Sequence, residues 1–285
     1  DSIIVFDEVH LFLNQSIRTG MAMNLSYLSR QFISFTGTPV IDNKTEKLIA
    51  WLKQIVPFEV NKQNFWVAAN NMIAKNITTG IKTESIDIIA PFNSKEQSEY
   101  QKYVPPALGG KNTNPSASDW NIAANICYKA CDRKMISLTK DMLDEGRGVM
   151  IVARDTSHQQ MLKEGLLNKL NITSNDIFLI EKDKSIFLTD ESVEKKKTPD
   201  YKIVITTKRK AQGYTLTRLS VMITSVYPSN NATREQLRGR INRVGQKTEP
   251  LLYYTTHIGI LTNIMENHNS AKSLSAALQE VAEKV

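Results

Sequence analysis

Two acids and a histidine close a short apolar run in "DSIIVFDEVH", the first ten residues of the chain. Ser2 to Phe6 is rich in Ile and Val, as suits a strand buried on both faces of a parallel sheet. A carboxylate at the C-terminal end of such a strand sits where open α/β sheets bind ligands. There Asp7 can hold Mg²⁺, directly or through water, while Glu8 polarises a water for attack on a γ-phosphate. The plainer alternative is that the acids simply carry the chain out of the core. His10 alone reads as a surface or core histidine, and its weight comes from the motifs further along the chain.

"TGTP" ends a second apolar run, "QFISF". Thr36 and Thr38 offer hydroxyls at a strand end, Gly37 permits a tight turn, and Pro39 stops the chain from continuing as strand or helix. By itself this is an ordinary turn. In "VITTKRKAQGYTLT", Thr206 and Thr207 end another apolar strand, and Lys208, Arg209 and Lys210 form a basic loop. Gly213 then allows close backbone approach. Such a loop either grips a phosphate backbone by charge and N–H groups or is a solvated turn. The densest stretch is "QLRGRINRVGQ", which holds Gln236, Arg240 and Arg243. On a helix, two arginines three apart project from one side and can reach one polyphosphate. The planar guanidinium binds phosphate by two prongs and stays charged.

The elements that must position these residues alternate. Strand, helix, strand, helix is the order up to Pro57, which defines an α/β layer. From 58 to 134 the rhythm breaks, with "NSKEQSEYQKYV" as a helix and "PPALGGKNTNPSASD" as a loop rich in Pro, Gly, Asn and Ser. It then resumes with helix "KMISLTKDMLDEG", strand "GVMIVA", helix "SHQQMLKEGLLNKL", strands "IFLIE", "KIVITT" and "SVMITSV", helix "ATREQLRGRINRV" and strand "LLYYTT". The expected domains are 1–57, the C-terminal part of a first lobe; 58–134, a mostly helical connector or insertion; 135–262, a complete second lobe; and 263–285, a C-terminal helix.

A chain of 285 residues with 41% hydrophobic and 23% charged residues has the composition of an ordinary globular protein of about two domains. Its net charge of +7 favours a polyanionic partner. Cys127 and Cys131 lie four apart with no nearby His pair to complete a zinc set, which points to two reduced thiols on or near one helix face. No apolar run has the length of a membrane-spanning helix, and no basic region leads into a signal core. The expectation is a reducing intracellular compartment and no membrane partner.

Taken together, the motifs resemble those of superfamily 2 helicases and translocases, and are most similar to the Swi/Snf-type DNA-dependent ATPases. "DEVH" resembles motif II, the DEAH box; "TGTP", motif III; "ITTKRKAQGYTLT", motif V; and "QLRGRINRVGQ", motif VI. "GRGVMIVARDTSHQQML" resembles the strand and helix of motif IV, and the likeness runs from Asp1 to about Met265. It implies RecA-like parallel sheets flanked by helices, with ATP between two lobes. Asp7 would serve Mg²⁺ and Glu8 would be the catalytic base. His10 and Gln236 would couple the nucleotide site between lobes, and Thr36, Gly37 and Thr38 would link hydrolysis to movement. Arg240 and Arg243 would act as arginine fingers, worth roughly 10³ to 10⁵ in rate in related phosphoryl transfer. Thr206, Thr207, Lys208, Arg209 and Gly213 would face nucleic acid.

The sequence departs from that pattern where Swi/Snf-type proteins carry two glycines in motif V, since it has Lys210 and Ala211 instead. Motif II also lacks the usual basic residue after His10. The compact second lobe would suit the shorter helicase-like ATPases of phages and large DNA viruses. No Gly-Lys-Thr or Gly-Lys-Ser phosphate loop is found, and Gly109, Gly110 and Lys111 lack the flanking strand and helix. The expectation is a C-terminal part of a longer ATPase that starts at motif II, partnered by a P-loop segment of the same protein and inactive without it. The intact protein would move along DNA, on duplex rather than single strands, with RNA as a further option. The alternatives are a nucleic-acid-binding module of the same fold that has lost catalysis, and a strand-separating DNA or RNA helicase.

Overall fold

The computed structural model describes residues 3–6, 17–34, 80–180, 201–208, 210–211, 214–225 and 231–262, with isolated positions between 46 and 64. The chain divides into two compact units, one of 1–77, 229–236 and 268–285, the other of 78–228 and 237–267. In the first, strand β1 (Ile3–Phe6), helix α1 (Ile17–Leu28) and strand β2 (Gln31–Ser34) form a βαβ element. The two strands run parallel, with Ile3 opposite Gln31 and Phe6 opposite Ser34.

The second unit is built on a six-stranded sheet. In chain order its strands are β3 (Thr83–Ile89), β4 (Val149–Ala153), β5 (Ile177–Leu179), β6 (Ile203–Thr207), β7 (Val221–Thr224) and β8 (Leu251–His257). Their order across the sheet is β3-β8-β7-β4-β6-β5, and every neighbouring pair is parallel. This is the parallel α/β arrangement expected from the alternation of strands and helices.

Burial on both faces explains the strand sequences. Every residue of "VMIVA", "IVITT" and "VMIT" is buried, so these strands read as unbroken apolar runs rather than alternating ones. Alternation reappears as a division between two cores. Val149, Ile151 and Ala153, with Ile203, Ile205, Val221, Ile223, Leu252 and Tyr254, meet Met135, Leu138, Met142, Leu162 and Leu166 of the helices α3 (Ala117–Asp144) and α4 (Thr156–Lys169). The alternate residues Met150, Val152, Val204, Met222, Leu251 and Tyr253 meet Leu216, Leu219, Leu237 and Ile241 on the other face.

The segment 58–134, expected to be mostly helical, also supplies β3, an edge strand of this sheet paired with β8 along its whole length. Its pattern misleads because a lone edge strand with polar alternate residues, "TESIDII", carries a weak apolar signal. Helix α2 (Ser94–Tyr100) follows, capped by Asn93 and Glu96 in a reciprocal box. Helix α3 then runs unbroken for 28 residues, through the boundary expected at 134. Ser116 and Asp119 form its capping box, and Gly146, at φ 75°, turns the chain away after its end.

Cys127 and Cys131 lie on α3, fully buried and free. Burial pushes their thiols up to about 11 and about 12, which makes them inert packing groups. No described helix is long and apolar enough to cross a membrane.

Arg133 joins α2 to α3. Its fork grips both oxygens of Glu96, with Nη2 donating to Oε2 at 2.7 Å and to the Pro91 carbonyl at 3.1 Å. Burial works to raise the Glu96 carboxyl, but the Arg133 fork and the Asn93 N–H outweigh it and hold the group below its ordinary value of 4.5. A depressed carboxylate contributes stability that is complete above its unfolded-state value and is lost as pH falls through the folded one. Glu96→Gln should therefore lower stability at neutral pH and flatten the loss below pH 4.5, as read from urea midpoints across an acid series.

Candidate functional site

In a parallel sheet all strands end on one edge, and β4, β6, β7 and β8 end there at Ala153, Thr207, Thr224 and His257. The loop after β4 carries a polar cluster of which sequence reasoning gave no sign. Asp132 on α3 accepts from His158 Nε2 at 2.9 Å and from Arg154 Nη2 at 3.3 Å. His158 Nδ1 accepts the Arg154 backbone N–H at 3.1 Å, which places the ring proton on Nε2, directed at Asp132. The Arg154 guanidinium also lies 4.1 Å from the centre of the Tyr128 ring. Asp155 caps α4, accepting from Ser157 Oγ at 2.6 Å and His158 N–H at 2.8 Å. Those two bonds, Ser157 first, hold its carboxyl below the ordinary aspartate range. Asp132 and His158 are 26 residues apart, so no local pattern announces the pair.

The basic loop after β6 is partly fixed. Thr206 is fully buried and Thr207 nearly so, and Thr207 starts a turn by accepting the Ala211 N–H at 3.1 Å on its carbonyl. Lys208 is half-buried, and desolvation pushes its ammonium down. Lys210, one of the two residues that replace the expected glycines, donates to Thr156 Oγ1 at 2.9 Å and to Gln159 Oε1 at 3.2 Å. Gln159 spends its amide N–H groups on the carbonyls of Ile180 and Ile205, at 3.2 and 2.9 Å. The lysine thus ties the loop to the first turn of α4. Ala211 is packed in the core beside Tyr214 and Leu216. Arg209 and Gly213 lie outside the described residues.

The stretch of Gln236, Arg240 and Arg243 departs from the expected helix. Helix α5 (Asn231–Arg238) carries Gln236 but stops at Arg238, so Arg240 and Arg243 are not on one helical face. Gly239 is a poor helix former, and the Arg240 carbonyl is taken by the Leu216 N–H at 2.7 Å instead of continuing a helical ladder. The turn is anchored by buried Leu237 and Ile241 on either side. Arg238 adds a hydrogen bond to Ser85 Oγ at 2.8 Å and lies 4.7 Å from the Tyr253 ring centre. The two arginines still converge, because both address the segment after Gly213. Arg240 Nη1 donates to the Tyr214 carbonyl at 3.4 Å, and Arg243 Nη1 donates to Thr215 Oγ1 at 2.7 Å. Gln246 closes the turn, donating to the carbonyls of Leu219 and Ile241 at 2.8 and 3.0 Å.

Asp7, Glu8 and His10, and likewise Thr36, Gly37 and Thr38, lie outside the described residues. Among the described residues no group of three His, Cys, Asp or Glu side chains gathers to hold a metal ion.

The fold and this edge define a parallel α/β domain whose basic loops leave the C-terminal ends of its strands. Residues 133–245 match the family model described as the helicase conserved C-terminal domain, so that stretch is similar to such a domain. No curated protein matches the chain. Among solved structures, S. cerevisiae Dbp5 bound to RNA and ADP BeF3 aligns with a TM-score of 0.49 and 15% identity, over 99% of this chain and 63% of that one. The chain thus spans less than two thirds of the length of that structure.

The cluster at Asp132 carries its own expectation. Asp132→Ala would leave the Arg154 guanidinium and the His158 N–H without their acceptor, at a cost of about 3 kcal/mol for a buried pair broken on one side. Denaturant midpoints of the variant against the parent chain measure it.

Proposed function

We propose that these residues belong to a nucleic-acid-dependent ATPase of helicase superfamily 2, of the Swi/Snf type, which couples ATP hydrolysis between two RecA-like lobes to movement along duplex DNA. The observation that carries this reading is the convergence of Arg240 and Arg243 on the 214–216 segment, all within the stretch similar to a helicase C-terminal domain. Planar guanidinium forks are the donor chemistry that a polyphosphate calls for. Bound ATP with Mg²⁺ supplies the phosphoryl group and the counter-charge for its transfer.

In this reading Asp7 serves Mg²⁺ through water, and Glu8 takes the proton of the attacking water. Arg240 and Arg243 neutralise charge that develops on the phosphates. His10, Gln236, Thr36, Gly37 and Thr38 couple the site to movement. Thr206, Thr207, Lys208, Arg209 and Gly213 face the nucleic-acid backbone, where half-burial makes the Lys208 ammonium costly without an anion beside it. The β- and γ-phosphates need a Gly-Lys-Thr loop, which these 285 residues do not contain; we assign it to a further segment of the same protein.

The test is ATP turnover by a protein that carries such a loop together with these residues, with duplex DNA, single-stranded DNA and RNA as stimulants. Stimulation should be strongest with duplex DNA, and Glu8→Gln or Arg243→Ala should lower kcat by about 10³-fold or more. The 285 residues alone should bind DNA weakly, with a steep salt dependence, and turn over no ATP. Near-normal turnover by either variant would sink the site assignment, and stimulation by RNA alone would replace DNA as the track.

A further inference from the structure

We infer that Thr215 is the positioning residue for Arg243, holding the guanidinium ready in the orientation from which it meets a phosphate. The inference rests on the ATPase reading of Arg243 and adds to it a residue of the "ITTKRKAQGYTLT" stretch to which no role has been given.

Thr215 stands between two buried side chains, Tyr214 and Leu216, both part of the core on one face of the sheet. Leu216 is pinned further by its N–H bond to the Arg240 carbonyl. With its neighbours directed inward, Thr215 is left half-buried at the surface. Its branched Cβ restricts χ1, so the hydroxyl is presented from a stiff mount.

Arg243 would otherwise be a long, exposed, freely rotating side chain. Two bonds restrain it instead, Nε to the Gly239 carbonyl at 2.8 Å and Nη1 to Thr215 Oγ1 at 2.7 Å. The guanidinium is planar, so anchoring two of its nitrogens on different groups fixes the plane of the third. Nη2 has no partner among the described residues and is the edge left for an incoming oxyanion. The Gly239 bond is local, four residues back along the same turn, and cannot by itself fix the far end of the side chain. Thr215 reaches it from 28 residues away, on the segment that leads out of the basic loop.

Thr215→Val keeps the shape and removes the hydroxyl; Thr215→Ser keeps the hydroxyl. In the ¹⁵N-labelled chain, the Arg243 Nη–H resonances, assigned by their loss in Arg243→Lys, should exchange with solvent faster in the Val variant and as in the parent in the Ser variant. An unchanged rate in Thr215→Val overturns the inference at the level of structure. In a protein that carries the phosphate loop as well, Thr215→Val should lower kcat by about 10²-fold with KM for ATP within about twofold, as a misplaced catalytic group does. Thr215→Ser should restore turnover. If Arg243→Ala abolishes turnover and Thr215→Val leaves it intact, the positioning role fails and the ATPase reading stands. If Arg243→Ala itself leaves turnover intact, that reading fails and takes the positioning role with it.

Discussion

A parallel sheet buried on both faces leaves its strand ends as the places where polar chemistry meets water. In this domain β4, β6 and β7 have every residue buried, so any side chain that is to act must leave at an edge. Burying a polar group along these strands without a partner costs free energy. The Thr residues that close β6 and β7 sit at the limit of what the sheet tolerates, and the charged residues come after them. The helix layers supply the apolar cover, and the loops inherit the function.

The edge is then ordered by bonds that run between segments far apart in sequence. Asp132 joins α3 to the loop after β4, and Lys210 joins the loop after β6 to α4. Arg240 and Arg243 join the turn after α5 to the segment 214–216. Each tie has one end on a helix or in a turn with buried anchors. Loops that carry charge usually give up definition to solvation; these retain it because the cations are spent on neutral oxygens or on one shared carboxylate.

The sheet was legible from sequence because its central strands are apolar runs of the length a buried strand needs; the helix before β4 was legible only from Lys134 on, since its first turns follow a stretch rich in Pro, Gly, Asn and Ser that reads as loop. β3 was not, since an edge strand with polar alternate residues looks like surface. The arginines of "QLRGRINRVGQ" were legible as a pair of phosphate-type donors, but their placement was not. A helical spacing rule applies only while the helix lasts, and this one ends at Arg238, where a glycine and a competing backbone N–H intervene. Lys210 was visible as part of a basic loop and as a departure from an expected glycine, but its partners on α4 lie 51 and 54 residues away. Asp132, His158 and Thr215 had no local signature, because their meaning lies in who faces them across the fold.

The order β3-β8-β7 has a practical consequence. β3 precedes every other strand of its sheet and pairs with β8, the last of them. The stretch 133–245 that is similar to a helicase C-terminal domain contains neither. Excised at those limits, the domain would keep four strands, lose the first part of α3, and turn Val221–Thr224 from an interior strand into a bare margin of unpaired N–H and C=O groups with both faces apolar. Such a margin recruits other chains. Keeping β8 and β3 leaves that margin paired.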